Sequence, residues 1–274
     1  MAFKDKVAVV TGGGSGIGRA LCEKLAAAGA KVLVSDIDEY QAKAVASAIT
    51  SMGGKALAHK TDVTKSPQVR ELVQKALDTH GRLDYMFNNA GVGVGGEARD
   101  LTLKDWKRVL DVNLWGVIHG VDAAYPVMIR QGHGHIVNTA SVAGLVAAPG
   151  LLPYTTSKFA VVGLSRALRI EGRALGVKVS AACPGFVDTG IFYSFSLPGM
   201  DIDELLDKLP MRMPSPEKAA DHILAGVKKN REIIFATSHA KPLYWFSQKT
   251  PRAFRLAAEA GLYSFRRMRQ AKAG

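Results

Sequence analysis

Tyr154 and Lys158 stand four residues apart in the stretch Tyr154-Thr155-Thr156-Ser157-Lys158. On a helix this spacing puts them on one face, about one turn apart. A phenol with its ordinary pKa of about 10 exchanges protons poorly at neutral pH, and a cation beside it favours the phenolate and lowers that value. The pair therefore reads as a phenol tuned to exchange a proton with a substrate. Five such residues alone equally suit an ordinary surface helix, so the partners must come from elsewhere in the chain.

Thr11-Gly12-Gly13-Gly14-Ser15-Gly16-Ile17-Gly18 is a binding motif rather than a reacting one. It follows a valine-rich run at residues 6–10 and precedes a helical pattern at 19–28, with Gly29 as the C-terminal cap. A second apolar run at 31–35 ends in Asp36. Strand, glycine turn, helix, strand and acid form the layout of a dinucleotide-binding βαβ unit. Gly12 permits the tight turn, Gly16 lets backbone approach a pyrophosphate, and Gly18 lets the helix pack close to the sheet. The amides from Ser15 through Ile17 to Gly18 open the helix and face phosphate oxygens. The spacing is T-G-x-x-x-G-x-G rather than the common G-x-G-x-x-G. Asp36 accepts hydrogen bonds from adenosine ribose hydroxyls and repels a 2′-phosphate, and no Arg or Lys stands at Ser15, Ile37 or Asp38 to receive one. NAD is thus favoured over NADP. The plainer alternative for Asp36 is the N-cap of the next helix.

Apolar runs and helical patterns alternate through the rest of the chain. Helices are predicted over 38–52, from Ser66-Pro67 to about 80, over 101–130 and over 151–175; strands are predicted at 55–60, 83–87, 135–140, 177–182 and 232–235. This predicts an α/β fold, a Rossmann-type doubly wound parallel sheet covered on both faces, as a single domain over residues 1–239. Ligands bind such sheets beyond the carboxyl ends of the strands. Asp62, Val63, Asn88, Asn89, Ala90 and Gly91 fall there. Asp62 suits an adenine amino group and Val63 the adenine face, while Asn88 suits a tie between neighbouring strands.

Composition narrows the classes. The 274 residues carry a net charge of +12, of which +7 lies in residues 240–274. No apolar run approaches the roughly 20 residues that span a bilayer. Lys4-Asp5-Lys6 leads directly into a strand, which reads as no signal peptide. Two distant cysteines, Cys22 and Cys183, imply no disulfide framework and fit a reducing, cytoplasmic setting. His133 and His135 flank Gly134 with no carboxylate or Cys to complete a metal set. The body has neither a basic motif nor an aromatic platform for nucleic acid.

Thr11 to Gly18, Asn88-Asn89-Ala90-Gly91, Asn113, Ser141, Tyr154-x-x-x-Lys158 and Pro184-Gly185 come in the order and approximate spacing of the short-chain dehydrogenase/reductase family. The chain resembles that family from residue 1 to about 235. The resemblance implies Tyr154 as general base for alcohol oxidation or acid for ketone reduction. It implies Ser141 as the donor to the substrate oxygen, and Lys158 as the ligand of nicotinamide-ribose hydroxyls that also lowers the Tyr154 pKa. Asn113 would hold a water that relays protons from Lys158. Pro184, Gly185, Val187 and Thr189 would border the nicotinamide, with Thr189 on its carboxamide. The family also implies a homodimer or homotetramer built on the long helices.

Residues 186–213 lie where this family places its substrate lid, and they are rich in apolar side chains, Phe186 and Phe192 among them. With Ala143 and Leu151 near Ser141 and Tyr154, and with Leu145, Val146 and Leu152 beside them, they predict an apolar secondary alcohol or ketone as substrate. A reductase of 3-ketoacyl or similar carbonyl substrates is the alternative enzyme. An NAD-sensing or membrane-adaptor protein is the non-enzymatic one. Residues 240–274 form a basic, aromatic-rich extension with a helical pattern over 251–269. Such a segment suits an anionic membrane surface, a neighbouring subunit or a cover over the substrate cleft.

Overall fold

The computed structural model describes residues 2–191 and 213–270. Phe192 and most of the predicted lid fall outside the described residues. The first strands are β1 (Val7–Thr11), β2 (Lys31–Asp36), β3 (Lys55–Lys60) and β4 (Tyr85–Asn88). They are joined by α1 (Gly16–Ala27), α2 (Glu39–Ser51) and α3 (Ser66–His80). Beyond them run α4 (Leu103–Leu110), α5 (Gly116–Gln131), β5 (Gly134–Thr139), α6 (Leu152–Gly172) and β6 (Val177–Cys183). α7 (Pro216–Lys228), β7 (Ile233–Phe235), α8 (Ala240–Lys249) and α9 (Pro251–Gln270) complete the described chain.

The strands make one parallel sheet in the order β3-β2-β1-β4-β5-β6-β7. The order reverses between β1 and β4, which pair directly through Ala8 with Tyr85 and Val10 with Phe87. Parallel strands need crossover helices on both faces, so the strands are buried on both sides and read as continuous apolar runs. β1 is buried at all five positions. Val10, Phe87 and Val34 face one helical layer with Leu21, Leu25 and Ile223. Val9, Met86 and Ile136 face the other with Leu72, Val127 and Met128. The reversal opens a crevice above β1 and β4, the position where such sheets bind ligands.

Two elements differ from the sequence expectation. The pattern at 101–130 is interrupted by a π turn at Asp111–Trp115, where Gly116 N–H bonds back to the Asp111 carbonyl. Apolar periodicity does not register one inserted residue. Residues 241–246, for which no element is predicted, belong to helix α8.

The histidines have structural partners. His133 Nε2 lies 2.8 Å from Arg82 and 3.4 Å from Asp84, and His135 Nε2 lies 2.8 Å from Ser180 Oγ. Burial drives the His135 pKa down to about 3, so the ring is neutral in the fold. The unfolded chain binds that proton near pH 6.5, so stability falls as pH drops from about 6.5 toward 3. Ser180 Oγ also donates to the Arg231 carbonyl, leaving it partnered if the ring is removed. His135→Leu is therefore expected to flatten this acid limb in thermal melts; an unchanged limb assigns it to other groups.

Candidate active site

The glycine turn leaves β1 with Gly12 at φ 63° and Gly16 at φ 50°, left-handed values that side chains avoid. Ser15 is the N-cap of α1, yet no side chain caps the helix and its first turn holds no acid. The first-turn amides therefore keep their positive end for an anion. Asp36, at the end of β2, accepts from Gly14 N–H at 2.9 Å and from Asp38 N–H at 3.1 Å. The N-cap of α2 is Asp38, which accepts from Tyr40 and Gln41, so Asp36 is spared the capping role. Asn89 Nδ2 clips the turn from the side, donating to the Thr11 and Gly12 carbonyls at 3.1 and 3.3 Å. Asn88, one residue earlier, donates to Asn138 Oδ1 across β4 and β5 at 2.8 Å.

A cavity of about 510 Å³ begins at this turn. Gly12, Ser15, Gly16, Ile17, Gly18 and Asp36 line one end, followed by Asp62, Val63, Asn89, Ala90 and Gly91. Asp62 also closes its own turn, accepting from the Thr64 amide and hydroxyl. The far end holds Ser141, Ala143, Leu151, Tyr154 and Lys158, with Pro184, Gly185, Phe186, Val187 and Thr189 along the side. Of the apolar neighbours expected there, Val146 lines the cavity, Leu145 is buried in the core and Leu152 does not line it.

Helix α6 carries Tyr154 and Lys158, and the two meet as their spacing requires. Lys158 Nζ stands 5.4 Å from the Tyr154 ring centroid. It donates to the Thr139 carbonyl at 2.8 Å and is 2% exposed. Burial pushes the Lys158 pKa down to about 8. Burial also raises the Tyr154 pKa, and a hydrogen bond with Ser141 pulls the other way. This corrects the expectation of a lowered phenol pKa. The ammonium is directed at Thr139, and desolvation penalises its charge as well as the phenolate. Ser141 Oγ accepts from Ala143 N–H at 3.1 Å and lies 3.3 Å from the Pro184 carbonyl, which fixes it at the end of β5.

Asn113 sits in the π turn, fully buried and outside the cavity lining. Its Oδ1 accepts from Val92 N–H at 2.8 Å, and its Nδ2 donates to the Val92 carbonyl at 2.9 Å and to Ser157 Oγ at 3.3 Å. A Cβ placed on Gly91 would lie 3.4 Å from Asn113 Oδ1 and 3.7 Å from Lys158 Nζ. The two side chains thus flank Gly91, and Asn113 holds the strand-end loop in place.

Sequence reasoning did not single out Thr139, or place Leu243 and Phe254, both of which line the cavity. A backbone acceptor such as the Thr139 carbonyl has no side-chain signature. Phe254 was visible only as one of several aromatics in a basic helix. Within that helix Phe254, Ala258 and Leu262 are half-buried at four-residue spacing, the mark of a single inward stripe. The first turn of α8 is part of the body, since Ala240 is fully buried against Val142 and Val146.

The amides of the uncapped helix suit a pyrophosphate and the Asp36 carboxylate a ribose, so these residues fit a dinucleotide. The short chain dehydrogenase family model matches residues 6–196. A probable oxidoreductase, EphD of Mycobacterium tuberculosis, is 37% identical over 93% of this chain, which spans 45% of that protein's length. A cyclohexanol dehydrogenase of Acinetobacter is 36% identical, covering 80% of this chain and 86% of its own. The solved short-chain dehydrogenase/reductase of Burkholderia phymatum in complex with NAD is 33% identical, with TM-score 0.83 over 91% of this chain and 95% of its own. A 3-ketoacyl-(acyl-carrier-protein) reductase from Brucella melitensis complexed with NADH is 28% identical, with TM-score 0.76 over 85% of this chain and 97% of its own. On its sequence and its fold alike, the chain belongs to the short-chain dehydrogenase family.

Proposed function

We propose that this chain transfers a hydride between NAD(H) and an apolar secondary alcohol or its ketone. The observation that carries the reading is one continuous cavity with a phosphate-binding helix end and Asp36 at one side and Ser141, Tyr154 and Lys158 at the other. A nicotinamide held there supplies the hydride acceptor or donor. Tyr154 takes the alcohol proton, or returns it to the ketone. Ser141 hydrogen-bonds the reacting oxygen as its charge changes. Lys158 binds ribose hydroxyls and keeps a positive charge beside the phenol below about pH 8. Asn113 supports the proton route by holding the loop at Gly91. The apolar lining at Val146, Leu151, Leu243 and Phe254 supports an apolar group on the reacting carbon. A similar cyclohexanol dehydrogenase supports the same class. Incubation with NAD and cyclic secondary alcohols should yield reduced nicotinamide, read by absorbance; no turnover on any of them, with NAD bound, sinks the reading.

Asp36 supports NAD over NADP, because its carboxylate stands where a 2′-phosphate would be repelled. Asp36→Ala is expected to narrow the NAD to NADP affinity ratio at least about tenfold, the scale on which like charges at a ligand site act. Titration of both cofactors into both proteins reads this, and an unchanged ratio rejects the assignment.

Alcohol oxidation needs the phenolate, and Tyr154 is held above its ordinary pKa. Oxidation is therefore expected to climb with pH through the neutral range and to flatten above about pH 8, where Lys158 loses its proton. Exposed Trp115, Phe159 and Ile170 on the outer faces of the long helices support the dimer or tetramer, which light scattering would read as mass. A membrane reading of the tail has support in exposed Trp245, Leu256 and Tyr263 beside its arginines. Equal sedimentation of the full chain with anionic vesicles and without them excludes it. Among the described residues no helix is long and apolar enough to cross a membrane.

A further inference from the structure

We propose that the α8–α9 hairpin is the outer wall of the substrate cavity, with Leu243 and Phe254 setting the size of the apolar group admitted and Arg266 with Glu97 clasping the hairpin to the segment that precedes α6. The inference rests on the reaction proposed above for the identity of the ligand, but its geometry stands alone.

The hairpin is built as one piece. Thr250 joins the helices, its N–H bonded to the Phe246 carbonyl at 3.0 Å and its carbonyl accepting from Phe254 N–H at 2.9 Å. Phe246 meets Phe254 edge to face with centroids 6.0 Å apart. Phe254 and Leu243 pack on the cluster of Val142, Val146 and Ala240, of which Val142 directly follows Ser141. Both also line the cavity that contains Ser141 and Tyr154. Leu256, two residues further on the same helix, is 65% exposed, so the inward contact is specific to one stripe.

The far end of α9 is tied down by a forked ion pair. Arg266 Nη2 lies 2.6 Å and Nε 3.1 Å from Glu97 Oε2. Glu97 is 11% exposed and also receives Arg99 at 3.0 Å. Its neighbour Gly96 donates to the Gly150 carbonyl at 2.8 Å and bridges to Leu151, where helix α6 with Tyr154 begins. The clasp therefore fixes the hairpin to the segment that leads into the catalytic helix. Arg266 is a positioning residue for Phe254. The Arg266 guanidinium, followed by Arg99, holds the Glu97 carboxyl down to about 2, so the pair stays charged across neutral pH.

The two natural cysteines are fully buried, so a thiol placed at 254 is the reactive one. Phe254→Cys is alkylated with iodoacetamide, with and without cyclooctanone, beside Leu256→Cys as the exposed control. Cyclooctanone is expected to slow the reaction at 254 about tenfold and to leave 256 unchanged, as for a side chain covered by a pocket ligand. Arg266→Ala is expected to speed alkylation at 254 several-fold without ketone, by releasing the wall. Phe254→Ala is expected to raise kcat/KM for cyclooctanol relative to cyclohexanol about tenfold, the scale of a methylene or two in an apolar pocket. Leu243→Cys replaces Phe254→Cys if the latter fails to fold. Equal effects of the ketone at 254 and 256 overturn the proposal, as does an unchanged alcohol ratio in active Phe254→Ala protein. Protection at 254 without turnover on any alcohol defeats the proposed reaction and leaves the wall standing.

Discussion

Tyr154→Phe is expected to lower turnover about a thousandfold, within the range a positioned acid-base group contributes, while NAD affinity stays within a few-fold of wild type. The substitution keeps the ring and its packing and removes only the hydroxyl and its hydrogen bond with Ser141. Lys158 keeps its bond to the Thr139 carbonyl, which does not pass through the phenol. Ser141 keeps the Ala143 amide. The seat of the cofactor is thus intact, and the loss falls on proton exchange alone. Steady-state kinetics and a cofactor titration on the same preparation separate the two quantities. Turnover within tenfold of wild type removes Tyr154 from the mechanism. Equal losses in affinity and turnover assign it a structural role.

Gly18→Ala is expected to weaken NAD binding more than tenfold and to lower the melting temperature. A Cβ at Gly18 would overlap the Gly12 carbonyl oxygen and approach Asn89 Nδ2 to 2.6 Å. The Gly12 carbonyl belongs to backbone, and Asn89 is the side chain that clips the turn. Neither can yield without moving the turn away from the helix end, and overpacking of this kind costs about 1–3 kcal/mol. The displaced amides are those that would hold the phosphates. Gly163→Ala is the control: it lies mid-helix in α6, with nothing within 4 Å of an added Cβ. There Ala is expected to be neutral or to stabilise by up to about 1 kcal/mol. Equal behaviour of the two variants in melts and titrations sinks the close-packing role of Gly18.

Much of the site is legible in the sequence because its determinants are local. The glycine spacing, the acid after β2 and the four-residue separation of Tyr154 and Lys158 each sit within one element or one βαβ unit. Strand-end residues such as Asn89 and Gly91 are legible at one remove, since a parallel sheet gathers its carboxyl ends on one side. Asn113 is less so. Its residue type is visible, but the π turn that holds it and the bonds to Val92 that occupy its amide depend on a loop 21 residues away. The tail is least legible. Its charge and aromatics suit a membrane, a partner or a cleft alike, and its packing by Val142 and its ion pair with Glu97 are long-range contacts that no local pattern announces.

By itself, then, the sequence determined the βαβ turn, the acid at the end of β2, the parallel α/β architecture and the phenol–lysine pair. These follow from backbone conformational limits and the 3.6-residue and two-residue periods, which act between near neighbours. Tertiary structure decided the proton affinities and the walls. Tyr154 is held above its ordinary pKa and Lys158 below its own because the elements packed around them desolvate both. Arg266 finds Glu97 across 169 residues because the sheet brings the start of α6 under the last helix. Desolvation and long-range contact are sums over many neighbours, and no short stretch of sequence contains them.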